Sequence, residues 1–246
     1  MTDKVVYYHG CFANYYNPDA GKSVVSVFKK NNIEVIVPEQ KCCAMPMMAN
    51  GNPEGARKNF DFNARMLAEA AAPGYDIITT CPSCNMMIKK EGLHFFDSED
   101  ARFVAERVYD AGEYLYQMHL EGKLNENFGE IPLKVFYHNP CHFKVQGITE
   151  VPVALIRLIP GVEVVKVNTN CCGMGGSYGM KKINRTRSVE IAQKLWDEVK
   201  NSEAEVAMTE CGGCGLQINA GTGMKVIHPI VLLNDSYKKY EARKAA

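Results

Sequence analysis

Asn170-Cys171-Cys172-Gly173-Met174-Gly175-Gly176 is poor material for a protein core. Glycine packs nothing and loses the most backbone freedom on folding, so two adjacent cysteines followed by three glycines within four residues suit a loop that wraps closely around a ligand. The loop is one part of a set. Cys141 stands 30 positions before Cys171, and Cys211-Gly-Gly-Cys214 begins 39 positions after Cys172. The same single, double and C-x-x-C arrangement occurs earlier as Cys11, Cys42-Cys43 and Cys81-Pro-Ser-Cys84, each member recurring 129 or 130 positions later. All ten cysteines belong to one set or the other, which makes the chain an internal duplication.

Composition bounds the class. A chain of 246 residues, 46% hydrophobic and 23% charged, can bury a sizeable core and hold two ordinary domains. Acids and bases number 28 each with no basic run, which argues against nucleic acid or an anionic membrane surface as the main partner. The longest apolar stretches, such as 151–159, are broken by Pro152 and Arg157, so no segment is expected to span a bilayer. Met1-Thr2-Asp3-Lys4 leads into a strand pattern rather than a signal peptide. The expectation is a cytoplasmic chain, its cysteines reduced and acting as metal ligands rather than disulfides.

Patterning predicts an α/β fold of two similar halves, each a small parallel sheet flanked by helices. Lys4 to His9 reads as a buried strand ending just before Gly10-Cys11. A helix from Pro18 with Val24, Val25, Val27 and Phe28 inward leads to a strand at 34–38, whose exit carries Cys42-Cys43. A long helix over 53–72, with Phe60, Met66 and Leu67 as its buried stripe, leads to a strand at 75–80 that delivers Cys81 and Cys84. Every thiol thus lies at the carboxyl end of a strand, where open parallel sheets build their ligand sites.

Residues 98–123 read as helices with Phe103, Val104, Val108, Leu115 and Met118 inward. The first domain is expected over 1–124, a linker over 125–132 and the second domain over 133–246. In the second, 133–138 repeats the opening strand, 151–159 the first helix, 162–167 the second strand, 183–200 the long helix with Ile191, Leu195 and Trp196 buried, and 205–209 the strand before Cys211. The final strand and helix, from Met224 to about Arg243, show no counterpart in the first half.

Ligand counting narrows the chemistry. C-x-x-C alone is shared by redox dithiols, zinc knuckles and chance. Tetrahedral zinc takes four ligands and an ordinary cubane cluster four thiolates, so five cysteines are one too many for either. The surplus favours a cluster of unusual connectivity or a site with one exchangeable thiolate, with a bystander cysteine as the alternative. Two structural zinc sites are the plainer reading, but independent buried cysteines have no reason to recur at one offset. His9, His138 and His142 lie beside Cys11 and Cys141 and are candidates to ligate iron, donate to a cluster sulfur or move a proton.

The wording of the motifs resembles a known family. Cys81-Pro-Ser-Cys84-Asn-Met-Met-Ile-Lys, Tyr137-His-Asn-Pro-Cys141-His, Cys171-Cys-Gly-Met-Gly-Gly-Ser-Tyr-Gly179 and His228-Pro-Ile-Val-Leu-Leu are similar to the duplicated cysteine-rich CCG domain, over nearly the whole chain. That domain is found in the B subunit of heterodisulfide reductase and in iron-sulfur subunits of anaerobic glycerol-3-phosphate, glycolate and lactate dehydrogenases. The wording is nearest the C-terminal part of the C subunit of anaerobic glycerol-3-phosphate dehydrogenase.

The resemblance implies two iron-sulfur clusters of the 4Fe-4S type, noncubane as in heterodisulfide reductase. Cys11, Cys42, Cys43, Cys81 and Cys84 would bind one; Cys141, Cys171, Cys172, Cys211 and Cys214 would bind the other. It also implies halves facing one another about a pseudo-two-fold axis, with the cysteine loops converging there. Relatives usually carry a preceding ferredoxin-like segment that this sequence lacks, so the expected donor is another chain, a flavoprotein or ferredoxin-like member of a multi-subunit complex. Electrons would pass to a disulfide or quinone acceptor, and any membrane attachment would run through partner subunits. Two functions follow, an electron relay or a catalytic heterodisulfide reductase. One departure is Ala44, which stands where the family has a glycine after the cysteine pair. Alanine disfavours positive φ and Pro46 offers no N–H, so the first site is expected to have altered geometry, fewer hydrogen bonds to sulfur and the lower potential.

Overall fold

In the computed structural model, which describes residues 3–245, the chain divides into two compact units meeting at Asn125 and Glu126. The first holds four parallel strands, β1 (Lys4–Tyr8), β2 (Glu34–Ile36), β3 (Asp76–Thr79) and β4 (Val108–Asp110), in the order β2-β1-β3-β4. The second repeats the design with β5 (Leu133–His138), β6 (Val162–Asn168), β7 (Val206–Met208) and β8 (Val226–Ile227), in the order β6-β5-β7-β8. The α/β class and the duplication are therefore as expected. A parallel strand needs a crossover and cover on both faces, and the central strands show it: Val5, Val6 and Tyr8 of β1 and Val135, Phe136 and Tyr137 of β5 are all 0% exposed.

The covering helices follow from apolar spacing. Helix Pro18–Lys30 buries Ala20, Ser23, Val24, Val27 and Phe28, the spacing of one helical face. Val25, expected inward, lies off that face and is 42% exposed. Helix Pro53–Ala71 starts on Asn52, whose side chain accepts from the Gly55 N–H at 2.9 Å, and buries Ala56, Phe60, Asn63, Ala64, Leu67 and Ala71. Full burial of each large apolar side chain contributes about 1.5–3 kcal/mol. The counterpart helix Arg185–Lys200 buries Ala192, Leu195, Trp196 and Val199, while Ile191 is 38% exposed because it falls outside that stripe.

Two expectations are corrected. Val108, read as helical, belongs to β4, where Val108, Tyr109 and Asp110 pair with Ile77, Ile78 and Thr79 between the helices Glu99–Ala105 and Ala111–Leu120. The chain's end does have a counterpart: β8 pairs with β7 as β4 pairs with β3, and helix Pro229–Ala245 follows it as Ala111–Leu120 follows β4. The stretch read as a linker is packed within the second unit. Phe128 meets Tyr237 with ring centroids 5.0 Å apart, and the Gly129 carbonyl accepts from Ser236 Oγ at 2.7 Å. No helix among the described residues is long and apolar enough to cross a membrane.

Candidate metal centres

Three adjacent strands deliver each cysteine set. Cys11 follows β1, Cys42-Cys43 the flanking β2, and Cys81 and Cys84 the other neighbour β3; the second unit uses β5, β6 and β7 alike. Because the central strand lies between the other two, their exits converge at one sheet end. Burial is graded within each set. Cys43, Cys84, Cys172 and Cys214 are buried, Cys42, Cys81 and Cys211 half-buried, and Cys11, Cys141 and Cys171 exposed. The buried thiols form the core's upper edge, Cys43 and Cys84 beside Tyr8, Phe60 and Ile77, and Cys172 and Cys214 beside Phe136, Leu195 and Ala207.

In the first unit all five thiols join in one hydrogen-bonded network. Cys42 accepts from Cys11 and Cys43, which holds its thiol well below the ordinary range and pushes Cys11 and Cys43 up. Cys81 accepts from Cys84, aided by the backbone N–H groups of Ser83 and Cys84, and falls to about 7 despite its burial. Cys84, hydrogen-bonded to Cys43 and Cys81, is raised. Metal binding would strip the remaining protons.

Side chains from elsewhere hold this loop. Asn63, buried mid-helix, accepts from the Lys41 N–H at 2.8 Å and donates to the carbonyls of Lys41 and Cys42 at 3.2 Å each. Gln40 Oε1 accepts from the N–H groups of His9 (2.8 Å) and Gly10 (3.2 Å), tying the exits of β1 and β2 together. Gly10 has φ +64°, and a Cβ there would lie 2.9 Å from Cys84 Sγ. Sequence reasoning missed Asn63 and Gln40. The signal was available for Asn63, a polar residue inside the apolar stripe of an otherwise amphipathic helix.

Ala44 corrects an expectation. It takes φ +75°, the left-handed value that Gly173 takes at +76°, so the first pair keeps the backbone turn of the second. The donors are kept too: the Ala44 N–H reaches Cys42, as the Gly173 N–H reaches Cys171 Sγ at 3.3 Å. The first cysteine of each pair thus keeps its N–H donor, while Cys172 has a further one from Met174.

The second unit is more open. Cys214 donates to Cys172 across 3.1 Å and is itself raised by Cys172 and Cys211, while Cys172 is lowered to about 4, mainly by Cys214 and further by His138. Burial and neighbouring sulfurs raise Cys141. His138, Cys172 and Cys214 place their ligand atoms within 4.8 Å of one another, all three buried. Of the three candidate histidines, His138 is thus brought to the thiols. The ring of His9 turns to the Gly10 carbonyl, Nδ1 to O 2.7 Å. His142 sits in the short helix Cys141–Lys144, half-buried. Soft thiolates converging on flexible glycine turns fit an iron-sulfur group, and the donor set fits thiophilic zinc as well.

Comparisons with known proteins agree with the geometry. Residues 5–89 and 135–219 each match the family described as CCG, cysteine-rich domain, so the two matched segments contain all ten cysteines. The chain is 34% identical over 233 residues to the C subunit of anaerobic glycerol-3-phosphate dehydrogenase of Escherichia coli K12, covering 94% of this chain and 58% of that protein. It is 28% identical over 249 residues to the B subunit of fumarate reductase (CoM/CoB) of Methanothermobacter marburgensis, covering 95% and 46%. Lactate utilization protein A of Bacillus licheniformis is 25% identical over 248 residues, covering 94% and 99%. The chain thus spans about half the length of the first two relatives and nearly all of the third.

Proposed function

The chain belongs to the cysteine-rich CCG domain family, and from that premise we propose that it is an iron-sulfur electron-transfer subunit of a dehydrogenase or reductase complex. The observation that carries this reading is the repeated delivery of five thiols by three adjacent parallel strands, once in each unit. In it, Cys11, Cys42, Cys43, Cys81 and Cys84 hold one cluster, and Cys141, Cys171, Cys172, Cys211 and Cys214 the other. The clusters supply one-electron chemistry. The chain's own part is to hold the sulfurs on rigid strand ends, so that little reorganisation accompanies electron gain or loss.

The proposed donor is a flavoprotein or ferredoxin-like subunit, as expected of a chain related to subunits of such complexes. The clusters are 4Fe-4S in type and noncubane, the form that accommodates a fifth thiolate. Metal and acid-labile sulfide analysis with electron paramagnetic resonance on anaerobically purified protein is the test. About eight iron per chain is expected for two four-iron clusters. Two zinc per chain without sulfide would overturn the reading.

A second reading, catalytic cleavage of a disulfide, is favoured by the exposure of Cys141 and Cys171. There two electrons from the donor and two protons convert one disulfide to two thiols. Reduced viologen as donor separates the readings: disulfide-dependent viologen oxidation supports catalysis, and its absence with intact clusters supports the relay.

A further inference from the structure

The second unit holds one buried nitrogen among its sulfurs, and a chain of hydrogen bonds fixes which face of the ring it presents. Glu198 accepts from Asn168 Nδ2 at 2.8 Å and from Asn170 Nδ2 at 2.7 Å. A carboxylate can only accept, so the Asn168 amide nitrogen must point at Glu198 and its oxygen away. That oxygen already accepts from the Asn170 backbone N–H at 3.0 Å, which fixes the same orientation independently. It lies 3.1 Å from His138 Nδ1, so Nδ1 must carry the hydrogen. With Nδ1 so engaged, Nε2 is the ring nitrogen left to turn to Cys172, whose thiol His138 holds low, and a metal ion bound there would take the place of the hydrogen between them; His138 is 1% exposed. Metal-binding imidazoles are oriented this way, the far N–H anchored to an oxygen and the near nitrogen bare.

We propose that His138 is a metal ligand of the second site, binding through Nε2 the same metal ion as Cys172 and Cys214. This rests on the second unit being a metal centre. Asn168 and Glu198 are then positioning residues. Among its described residues the first unit offers no equivalent. Tyr8 occupies the matching position in β1, and its hydroxyl donates to the Lys41 carbonyl at 2.6 Å. His138 then takes the coordination position of one of the five thiolates assigned above to this cluster, and a neutral imidazole in place of a thiolate leaves a cluster less negative and easier to reduce, as in iron-sulfur centres of mixed histidine and cysteine ligation. The two centres therefore differ in potential through His138, with the second the more positive.

The test uses whole, anaerobically purified protein grown with 15N-histidine, examined by pulsed electron paramagnetic resonance after partial reduction, with iron and sulfide measured on the same sample. A coupling typical of a directly bound nitrogen, sensitive to the label and lost in His138→Gln, is expected, together with a shift of the higher-potential signal to lower potential in that variant. Loaded clusters without a histidine coupling would overturn the assignment and leave the iron-sulfur reading standing. So would a coupling that persists in His138→Gln. If the metal proves to be zinc, the iron-sulfur reading fails by itself, and zinc-edge X-ray absorption then decides. One nitrogen among sulfurs supports His138, and an all-sulfur shell refutes it. The wild-type measurements need no variant to fold.

Discussion

The two cysteine sets descend from one design yet close in different ways. In the first unit all five thiols are hydrogen-bonded into one network. In the second, Cys172, Cys211 and Cys214 are so joined, His138 completes the buried group, and Cys141 and Cys171 face solvent. The positive-φ residue after each pair shows where tolerance ends. A Cβ on Gly173 would stand 2.1 Å from the Ser188 carbonyl oxygen, whereas Ala44 carries a real Cβ in the same backbone conformation, fully buried. One strand-end geometry therefore accepts a methyl in one unit and forbids it in the other, according to how closely the neighbouring helix approaches.

The largest effect should come from Gly173→Ala. The clash is with backbone held in helix Arg185–Lys200, and Ser188 Oγ also donates to the Gly173 carbonyl at 2.8 Å, so neither side can yield cheaply. A loss of more than about 3 kcal/mol is expected, with metal lost from the second site alone. Chemical denaturation with metal analysis checks it, and a variant with wild-type midpoint and metal content would show that the helix moves aside freely.

Asn63→Leu tests the first unit's own clamp. It removes the group that satisfies the Lys41 N–H and one of two donors to each of the Lys41 and Cys42 carbonyls, which keep the Tyr8 hydroxyl and Asn59 Nδ2, while preserving much of the volume. The Lys41 N–H left without a partner, with two weakened carbonyl contacts, should cost about 2 kcal/mol. Metal should be lost faster from the first site under a chelator. Equal loss from both sites would mean that Asn63 serves general stability rather than the Cys42 loop.

How far the sequence could be read depended on range. The cysteine framework, the central strands and the parallel order were legible because repetition and apolar runs are local signals. β4 was not, since Val108-Tyr109-Asp110 is only three residues long and sits between helices. The equivalence of the chain's end was hidden because the first unit inserts helix Glu99–Ala105 before β4, which breaks the constant offset. Choosing among His9, His138 and His142 was beyond local pattern. The choice depends on Asn168 and Glu198, which lie 30 and 60 positions beyond His138 and reach it only through the fold.

The strand exits differ in charge as well. Asp110 caps helix Ala111–Leu120 by accepting from the Gly112 N–H at 2.8 Å, and His228 does the same for Ile230 at 3.1 Å in the second unit. Burial, with Asp110 Oδ2 left without a hydrogen-bond partner, raises the Asp110 carboxyl from 3.8 to about 7. The folded chain thus keeps a proton that the unfolded chain has released. That contribution is full below the unfolded value, declines as pH rises and is gone above about 7. Between about pH 6 and about pH 8.5 the decline should be about 1.4 kcal/mol. Asp110→Asn keeps a capping side chain and removes this titration while leaving those of the thiols, so the stability difference between wild type and variant should change by that amount across the interval. A variant with the wild-type slope would place the titrating group elsewhere.

The smallest effect, and the sharpest use of the comparison, is Ala44→Gly. Relief of a left-handed alanine is worth about 1–2 kcal/mol. Against it stand the extra freedom of glycine in the unfolded chain, about 0.4–1 kcal/mol, and the loss of one buried methyl group, about 0.8 kcal/mol. The terms nearly cancel, so denaturation should show a change within about 0.5 kcal/mol of zero. A loss well beyond that would mean that the methyl, packed with Tyr8, Phe60 and Cys43, holds the first loop in place. A clear gain would mean that strain dominates. Near-neutrality would explain why this half can carry alanine while Gly173, with a carbonyl oxygen where its Cβ would go, cannot.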